Sequence, residues 1–229
     1  MTTGVVPPLA LRAGDDTVHI LCSTVADGDF HIEADRVALL HRRAAFTPGR
    51  WSQLDEVHGT SVLTVHRPGD HDFEVGDALV TRTRGAVLAV WVGDCAPVAM
   101  VGAGGAVAAA HAGWRGALDG VLQATVQAMA DDRVTAVLGP CIHPCCYEFG
   151  VAELDAMVAR FGPHVAGRTA WGTPALDMRA AVRAALAEVD VGLVDHSQCT
   201  GCHADRYYSH RRRQQHGRQV VTVCKRAAE

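Results

Sequence analysis

Three residues of the Cys/His type stand beside apolar runs that are typical of buried strands. Cys95 follows the run 86–92, and His111 follows the run 106–110. His58 lies just before a third predicted strand. Three such ligands leave one position of a tetrahedral zinc ion open, as in catalytic zinc sites, where the ion activates water or polarises a leaving group. The ligands are far apart in sequence, so two ordinary histidines and a buried thiol remain the alternative.

The segment 111–116, His-Ala-Gly-Trp-Arg-Gly, offers a second kind of chemistry. Its glycines would allow a ligand to approach the backbone closely, and the free N–H groups of the helix that it opens favour an anion. Arg115 suits phosphate or carboxylate, and Trp114 suits a flat ring. Gly116 completes the segment. The alternative is a plain helix start, with Trp114 in the core and Arg115 in solvent.

The segment 139–150 predicts a strand end followed by a loop whose path its prolines restrict. Four potential metal ligands lie in it: Cys141, His143, Cys145 and Cys146. A second metal site is one interpretation. We favour a loop that lines a pocket, with Tyr147 and Glu148 at the start of the next helix.

Cysteines recur at 199–203, Cys-Thr-Gly-Cys-His, which matches the pattern of covalent haem attachment. We interpret this match as accidental, because the chain shows no export signal. A redox pair is the other possibility, but the motif lies late in the chain and not after the first strand of a thioredoxin-like unit. The basic segment 207–218 follows, where Ser209, Arg211 and Arg218 could hold an anionic substrate or form a solvated face.

Apolar periodicity predicts the elements that must position these residues. Strands are predicted at 17–25, 61–66, 77–81, 86–92, 97–101, 106–110, 134–138, 191–194 and 220–223. Helices are predicted at 34–45, 118–129, 151–161 and 176–189. This alternation predicts an α/β (α+β) layered fold. We find no linker, repeat or low-complexity segment, so we expect one domain over residues 1–229.

The composition excludes several classes of protein. A net charge of −4 gives no electrostatic case for binding nucleic acid or an anionic membrane surface. No apolar run approaches the roughly 18 residues of a membrane span. The first residues lack a signal-peptide pattern, so we expect a cytoplasmic protein. In that compartment the eight cysteines are expected to be free thiols or metal ligands rather than disulfides.

Taken together, the motifs resemble those of the YfiH family, also called the multicopper polyphenol oxidase or laccase-domain family. In chain order they are V-H-G at 57–59, D-A-L-V-T at 77–81, D-C-A-P-V at 94–98, H-A-G-W-R-G at 111–116, G-P-C-I and C-Y-E-F-G within 139–150, C-T at 199–200, and Y-S-H-R-R with G-R at 208–218. The resemblance covers about residues 55–224 and leaves a short, divergent N-terminal region at 1–54.

The resemblance implies a layered sandwich of mixed β-sheets and helices, grouped with cysteine hydrolases that are similar to cytotoxic necrotising factor. It implies a zinc site at His58, Cys95 and His111. It also implies phosphorolysis of adenosine, inosine, guanosine and methylthioadenosine to free base and ribose 1-phosphate, with adenosine deamination as a further activity. The family name implies copper, but the chain lacks the several His-x-His pairs of a multicopper centre, which argues against laccase activity.

From this resemblance we expect catalytic roles for Asp94, Cys95 and Arg115. Asp94 would orient His111 or accept a proton. The residues expected to bind substrate or phosphate are Trp114, Arg115, Gly116, Tyr147 and Arg211. The expected partners are a purine nucleoside and phosphate, with no nucleic acid and no membrane, and the expected state is a monomer.

Two alternatives stay open. Some family members resemble peptidoglycan-editing hydrolases that act on cell-wall precursors, and a catalytically weakened nucleoside-binding protein is the other possibility. Glu56 stands where the family usually has Gln, and Gly93 precedes Asp-Cys where Ala is usual. The N-terminal region lacks the family's Gly-Gly-Val-Ser, Asn-Leu and Asn-Arg motifs, and only Asp35-Arg36 stands near the last of these.

Overall fold

The computed structural model describes residues 9–228, in which strands and helices alternate as predicted. The strands are β1 (Leu9–Ala13), β2 (Asp16–Cys22), β3 (Arg50–Gln53), β4 (Val62–Val65), β5 (Ala78–Thr81), β6 (Ala86–Val92), β7 (Ala96–Gly102), β8 (Val107–Ala112), β9 (Val134–Leu138), β10 (Ala166–Arg168), β11 (Pro174–Leu176), β12 (Gly192–Asp195) and β13 (Gln219–Ala227). The helices are α1 (Arg36–Phe46), α2 (Trp114–Asp119), α3 (Val121–Met129), α4 (Val151–Phe161), α5 (Met178–Ala187) and α6 (His210–Arg213).

Two mixed sheets face each other at the centre of the fold. The five-stranded sheet has the order β1-β2-β13-β6-β3 and is antiparallel except for the pair β3–β6. The six-stranded sheet has the order β12-β9-β7-β8-β5-β4, with parallel pairs only at its two edges. β10 and β11 form a separate hairpin.

The two sheets and the helices form four layers. Leu88 and Val223 of the five-stranded sheet share one core with Ala99 and Val107 of the six-stranded sheet. The helices α2 to α5 cover the other face of the six-stranded sheet, and α1 covers the other face of the five-stranded sheet through Leu39. β7 and β8 are buried along their whole length, which explains their continuous apolar sequences. The predicted α/β layered fold is confirmed.

Several elements differ from their predicted bounds. The predicted helix 118–129 is two helices, because Gly120 adopts a left-handed conformation (φ 99°) that ends α2 and begins α3. The helix predicted to start at 176 begins at Met178, since the Asp177 carboxylate accepts hydrogen bonds from the first N–H groups and caps it. The sequence did not predict β1, β3 or the hairpin β10–β11, which are short and only partly apolar.

The candidate site lies at one end of the two sheets. β6 belongs to the five-stranded sheet and β7 to the six-stranded sheet, so the turn 93–95 between them passes from one sheet to the other. Asp94 in this turn has a positive φ of 123°, which is uncommon for a residue other than glycine. None of the helices within residues 9–228 has the length and apolar character needed to cross a membrane.

Candidate active site

The three predicted ligands come from different elements and meet at this end of the sheets. His58 lies in the loop between β3 and β4, Cys95 lies just before β7, and His111 lies in β8. Antiparallel pairing of β7 with β8 sets His111 opposite Pro97, which brings it close to Cys95. One ligand atom of each residue lies within 4.8 Å of the others, and His58 Nε2 is 3.5 Å from Cys95 Sγ. The arrangement is that of a possible metal site.

Asp77 holds both histidines in place. Its Oδ1 atom lies 2.9 Å from His111 Nδ1 and accepts a hydrogen bond of 2.8 Å from the backbone N–H of His58. Its Oδ2 atom accepts one of 2.8 Å from the N–H of Gly59. The carboxylate is fully buried. This contact occupies Nδ1 of His111 and leaves its Nε2 atom for a metal, as buried carboxylates do beside many metal-binding histidines.

The donor set fits a borderline-soft metal ion. Two imidazole nitrogens and one thiolate are ligands that zinc accepts, and three protein ligands leave a position open for substrate. Burial alone would raise the pKa of Cys95, but His111 and His58 lower that pKa to about 6. The two histidines thus favour the thiolate, which is the form that binds metal. Burial opposes protonation of His111, yet Glu56 and Cys95 together raise its pKa well above the ordinary value.

Glu56 is a second carboxyl group beside His111. Its Oε2 atom lies 3.6 Å from His111 Nδ1, and its Oε1 atom accepts a 2.9 Å hydrogen bond from the backbone N–H of Trp91. Burial raises the pKa of Glu56 to about 8, although His111 and the Trp91 N–H oppose this shift. The residue that departs from the usual Gln of the family is thus in contact with the candidate site.

A cavity of about 230 Å³ opens beside the three ligands. Its other lining residues include Glu56, Trp91, Gly93, His210 and Arg218. The Trp91 indole is half-buried, and its Nε1–H donates to the Leu54 carbonyl, which fixes the ring. The Arg218 guanidinium lies 5.9 Å from the centre of that ring. Because Trp91 lies inside an apolar run, its sequence gives no sign of a role in a pocket.

A basic, aromatic patch flanks the site outside the cavity. The Arg211 guanidinium lies 4.7 Å from the centre of the buried Tyr147 ring, and that of Arg115 lies 4.4 Å from the Trp114 ring. Trp114 in turn packs edge-on against Phe149. Burial raises the pKa of Tyr147, and the negative charge of Cys95 adds to that rise, whereas both arginines oppose it. Both guanidinium groups belong to exposed residues.

The glycines at 113 and 116 serve the His58 loop. A Cβ atom on Gly116 would lie 2.7 Å from the carbonyl oxygen of Gly59, and one on Gly113 would lie 2.2 Å from His58 Cδ2. The sequence suggested that these glycines admit a ligand to the backbone. In the structure they admit the loop that carries a candidate ligand.

Asp94 contacts neighbours other than those expected. Its carboxylate accepts hydrogen bonds from the Thr200 hydroxyl and from the backbone N–H of Arg211, each of 2.6 Å. Burial raises its pKa, and these hydrogen bonds oppose the shift. The expectation that Asp94 orients His111 is therefore wrong, because Asp77 does so. Asp94 instead joins the turn before Cys95 to the loops that carry Thr200 and Arg211.

Comparisons with known proteins identify relatives of this chain. The family model of the multi-copper polyphenol oxidoreductase laccase family matches residues 21–226. Purine nucleoside phosphorylase SCO2081 of Streptomyces coelicolor is 38% identical over 208 residues, which cover 86% of this chain and 84% of the relative. Adenosine deaminase RL5, from an unknown prokaryotic organism, is 36% identical over 148 residues, which cover 59% of this chain and 56% of the relative.

The fold has a solved counterpart in the crystal structure of the Neisseria meningitidis protein NMB0706. It aligns with a TM-score of 0.81 at 26% identity, over 96% of this chain and 99% of that one. The family predicted from the motifs is thereby confirmed: this chain belongs to the multi-copper polyphenol oxidoreductase laccase family, that of the YfiH proteins.

Proposed function

We propose that this protein is a zinc-dependent purine nucleoside phosphorylase, with adenosine deamination as a second activity of the same site. The convergence of His58, Cys95 and His111 beside a cavity carries this proposal. The name of the Streptomyces relative supports the phosphorylase activity, and that of RL5 supports the deaminase activity.

Zinc is the metal that we propose for this site. The donors fit it, and the contact of Asp77 with Nδ1 of His111 would leave Nε2 to bind the metal once the ring has lost its second proton. Two histidines and a cysteine are also a copper donor set, but a laccase needs several copper ions held by further histidines. When bound, zinc would supply Lewis acidity and activate the water that deamination consumes.

The substrates are proposed to approach from the two sides of Cys95. The nucleoside base would lie against the fixed indole of Trp91 in the cavity, where aromatic stacking suits a purine. Phosphate would lie at the exposed guanidinium groups of Arg115 and Arg211, with Trp114, Gly116 and Tyr147 forming the surface beneath them. Arg218 is less suited to phosphate, because its Nη1 contacts three backbone carbonyls, whereas that of Arg211 donates to one, the Glu148 carbonyl.

Phosphorolysis forms one bond at the anomeric carbon of the ribose and breaks another. A phosphate oxygen attacks that carbon, the glycosidic C–N bond breaks, and its electron pair leaves with the base. The base takes up one proton, which phosphate supplies overall, and ribose 1-phosphate is the second product. Positive charge develops on the sugar in the transition state. The negatively charged phosphate therefore favours it electrostatically.

Asp94 has a positioning role in this proposal. Its hydrogen bonds fix the backbone of Arg211 and the loop of Thr200 relative to Cys95. The phosphate-binding guanidinium is thus tied to the turn that carries a metal ligand. We also propose that the chain is a single domain, because residues of both sheets form one shared core.

The test is chromatography of adenosine and inosine after incubation with zinc-loaded protein, with and without phosphate. Phosphate-dependent formation of adenine or hypoxanthine together with ribose 1-phosphate is the expected result. Phosphate-independent formation of inosine from adenosine would show the deaminase activity. Absence of both reactions would overturn the proposal, and so would copper-dependent oxidation of a phenol or release of an amino acid from a cell-wall precursor.

A further inference from the structure

Four cysteine sulfurs meet at a point that the proposed reaction does not use. Cys145 and Cys146 belong to the loop after β9, and Cys199 and Cys202 to the loop after β12. All four Sγ atoms lie within 4.8 Å of one another. The Sγ–Sγ distances from Cys202 are 3.5 Å to Cys145 and 3.4 Å to Cys146, and those from Cys145 are 3.8 Å to Cys199 and 3.9 Å to Cys146.

These distances are those of the edges of a small tetrahedron. A zinc ion bound by four thiolates at about 2.3 Å separates its sulfurs by about 3.8 Å. A disulfide needs one pair of sulfurs at about 2.05 Å, whereas here each sulfur of the 145–146 pair has several neighbours at similar distances. Sulfurs this close together also leave no space for a cluster of several iron ions.

Backbone contacts hold the two loops together at this point. The N–H of Cys141 donates to the Gln198 carbonyl, and the N–H of Thr200 donates to the Cys141 carbonyl, which pairs the loops as a short parallel bridge. The segment 199–202 is a tight turn, because the N–H of Cys202 donates to the Cys199 carbonyl. Cys-x-x-Cys in such a turn is the usual spacing of a structural zinc site.

Gly201 makes this approach possible. A Cβ atom on Gly201 would lie 2.6 Å from the Cβ and 2.9 Å from the Sγ of Cys146. The turn can therefore receive Cys146 only because position 201 has no side chain.

The surroundings of the sulfurs favour thiolates that share a cation. The backbone N–H of His143 donates to Cys199 Sγ at 3.4 Å, a contact that stabilises a negatively charged sulfur. Arg212 adds positive charge beside Cys202. A divalent metal bound by the four sulfurs would neutralise the negative charge that four thiolates bring together at this point.

We propose that Cys145, Cys146, Cys199 and Cys202 form a structural site for one tetrahedrally coordinated zinc ion. This site is separate from the candidate active site and does not depend on the proposed reaction. Cys141 and His143, which the sequence grouped with Cys145 and Cys146, lie outside the cluster, and the His143 ring contacts the Ser197 hydroxyl instead.

The site would brace one wall of the candidate active site. Tyr147 follows Cys146 directly, and Thr200, which binds Asp94, follows Cys199. Zinc would therefore join the loop of Tyr147 to the loop that fixes Asp94. Its loss should loosen the patch formed by Tyr147 and Arg211 without removing any ligand of the first metal site.

The test counts zinc in the full chain after loading with zinc chloride and desalting under reducing conditions. Cys95→Ala disables the first site, so this variant should retain about one zinc per chain if the four-thiolate site exists. Adding Cys202→Ser, a change at an exposed residue, should remove that zinc. Adding Cys22→Ser instead should leave it, because Cys22 lies outside the cluster.

Two further measurements keep the test decisive should the Cys202→Ser variant misfold. Cobalt titrated into the Cys95→Ala protein should give the intense thiolate-to-cobalt absorption of a four-sulfur site. Cys202→His, which replaces one ligand by another, should retain zinc. The proposal would be overturned by a zinc content near zero in Cys95→Ala, or by a zinc content that Cys202→Ser leaves unchanged. Disulfides among the four cysteines, detected in the mass of the purified protein, would also overturn it.

Discussion

The Nδ1 atom of His111 lies 2.9 Å from the Oδ1 atom of Asp77, and the same carboxylate accepts hydrogen bonds from the backbone of His58 and Gly59. One buried side chain thus fixes two of the three candidate ligands. The pairing of β5 with β8 produces this contact, since it sets Ala78 opposite Ala110 and so places the two residues side by side.

Asp77→Asn should therefore weaken zinc binding at the first site by about 10–100-fold. The amide cannot accept from His111 with the strength of a carboxylate, and the tautomer of the ring is no longer fixed. Zinc affinity is measured by competition with a chromophoric chelator. Both variants carry Cys202→Ser, so that the four-cysteine site binds no zinc and the measured affinity is that of the first site. Asp131→Asn is the matched control, because the buried Asp131 carboxylate also accepts backbone hydrogen bonds, but at the turn 102–106. Equal affinities of the two variants would contradict the role of Asp77.

The arginines of the site are expected to differ in the substrate whose KM they affect. Arg115→Gln and Arg211→Gln should each raise the KM for phosphate by about 10–100-fold, since each removes a charge-assisted hydrogen bond to the anion. Arg218→Gln should instead raise the KM for the nucleoside, because Arg218 lines the cavity beside Trp91. Steady-state kinetics with each substrate varied in turn measure both constants.

The phosphate prediction carries two controls. Arg183 is an exposed arginine of α5, so Arg183→Gln should change neither constant. Adenosine deamination uses no phosphate, so its rate should be retained in the Arg115 variant. A phosphate KM that changes only in Arg218→Gln would move the phosphate site into the cavity.

Close packing at Gly116 leads to a prediction about stability. In Gly116→Ala the new methyl group must displace the carbonyl of Gly59, which should cost about 1–3 kcal/mol and shift the loop of His58. The melting temperature and the zinc affinity should both fall. Gly192→Ala is the matched control, because nothing lies within 4 Å of a Cβ atom at Gly192. Unchanged zinc affinity in Gly116→Ala would show that the His58 loop adapts to the methyl group.

The sequence identified those site residues that stand at the ends of apolar runs. Cys95 and His111 follow apolar runs in the sequence, and His58 precedes a predicted strand, which marked all three as candidate ligands. In the structure Cys95 lies just before β7 and His111 lies within β8. The sequence does not mark Asp77, because there it is only the first residue of a predicted strand. Its role comes from strand pairing between distant segments, which periodicity in one sequence does not encode.

The same limit applies to the cysteines. Cys145 and Cys146 are more than fifty positions from Cys199 in sequence, and the bridge between 141 and 199 that joins their loops contains no pattern of its own. The sequence showed two separate short motifs, each with an ordinary interpretation. Only the tertiary contact makes one cluster of them. The apolar periodicity does not show the break at Gly120 either, because an apolar stripe continues across both helices.

Glu56→Gln, which restores the usual residue of the family, tests the electrostatics beside His111. In the metal-free protein the pKa of Glu56 is about 8, against an ordinary value of 4.5. Between these two pH values the folded protein holds a proton that the unfolded chain has lost. The stability of the Glu56 protein therefore falls as the pH rises through this window, with a slope of up to about 1.4 kcal/mol per pH unit.

The Gln variant lacks this titration, so its advantage in stability over the Glu56 protein should be small at pH 5 and largest near pH 8. Denaturant unfolding of chelator-treated proteins at several pH values measures the difference in the free energy of unfolding. The exposed Glu33 provides the control, because Glu33→Gln removes a carboxylate that is in water in both states and should give no such trend. Parallel pH profiles for the Glu56 protein and Glu56→Gln would mean that Glu56 is ionised in the folded state, stabilised there by His111 at 3.6 Å.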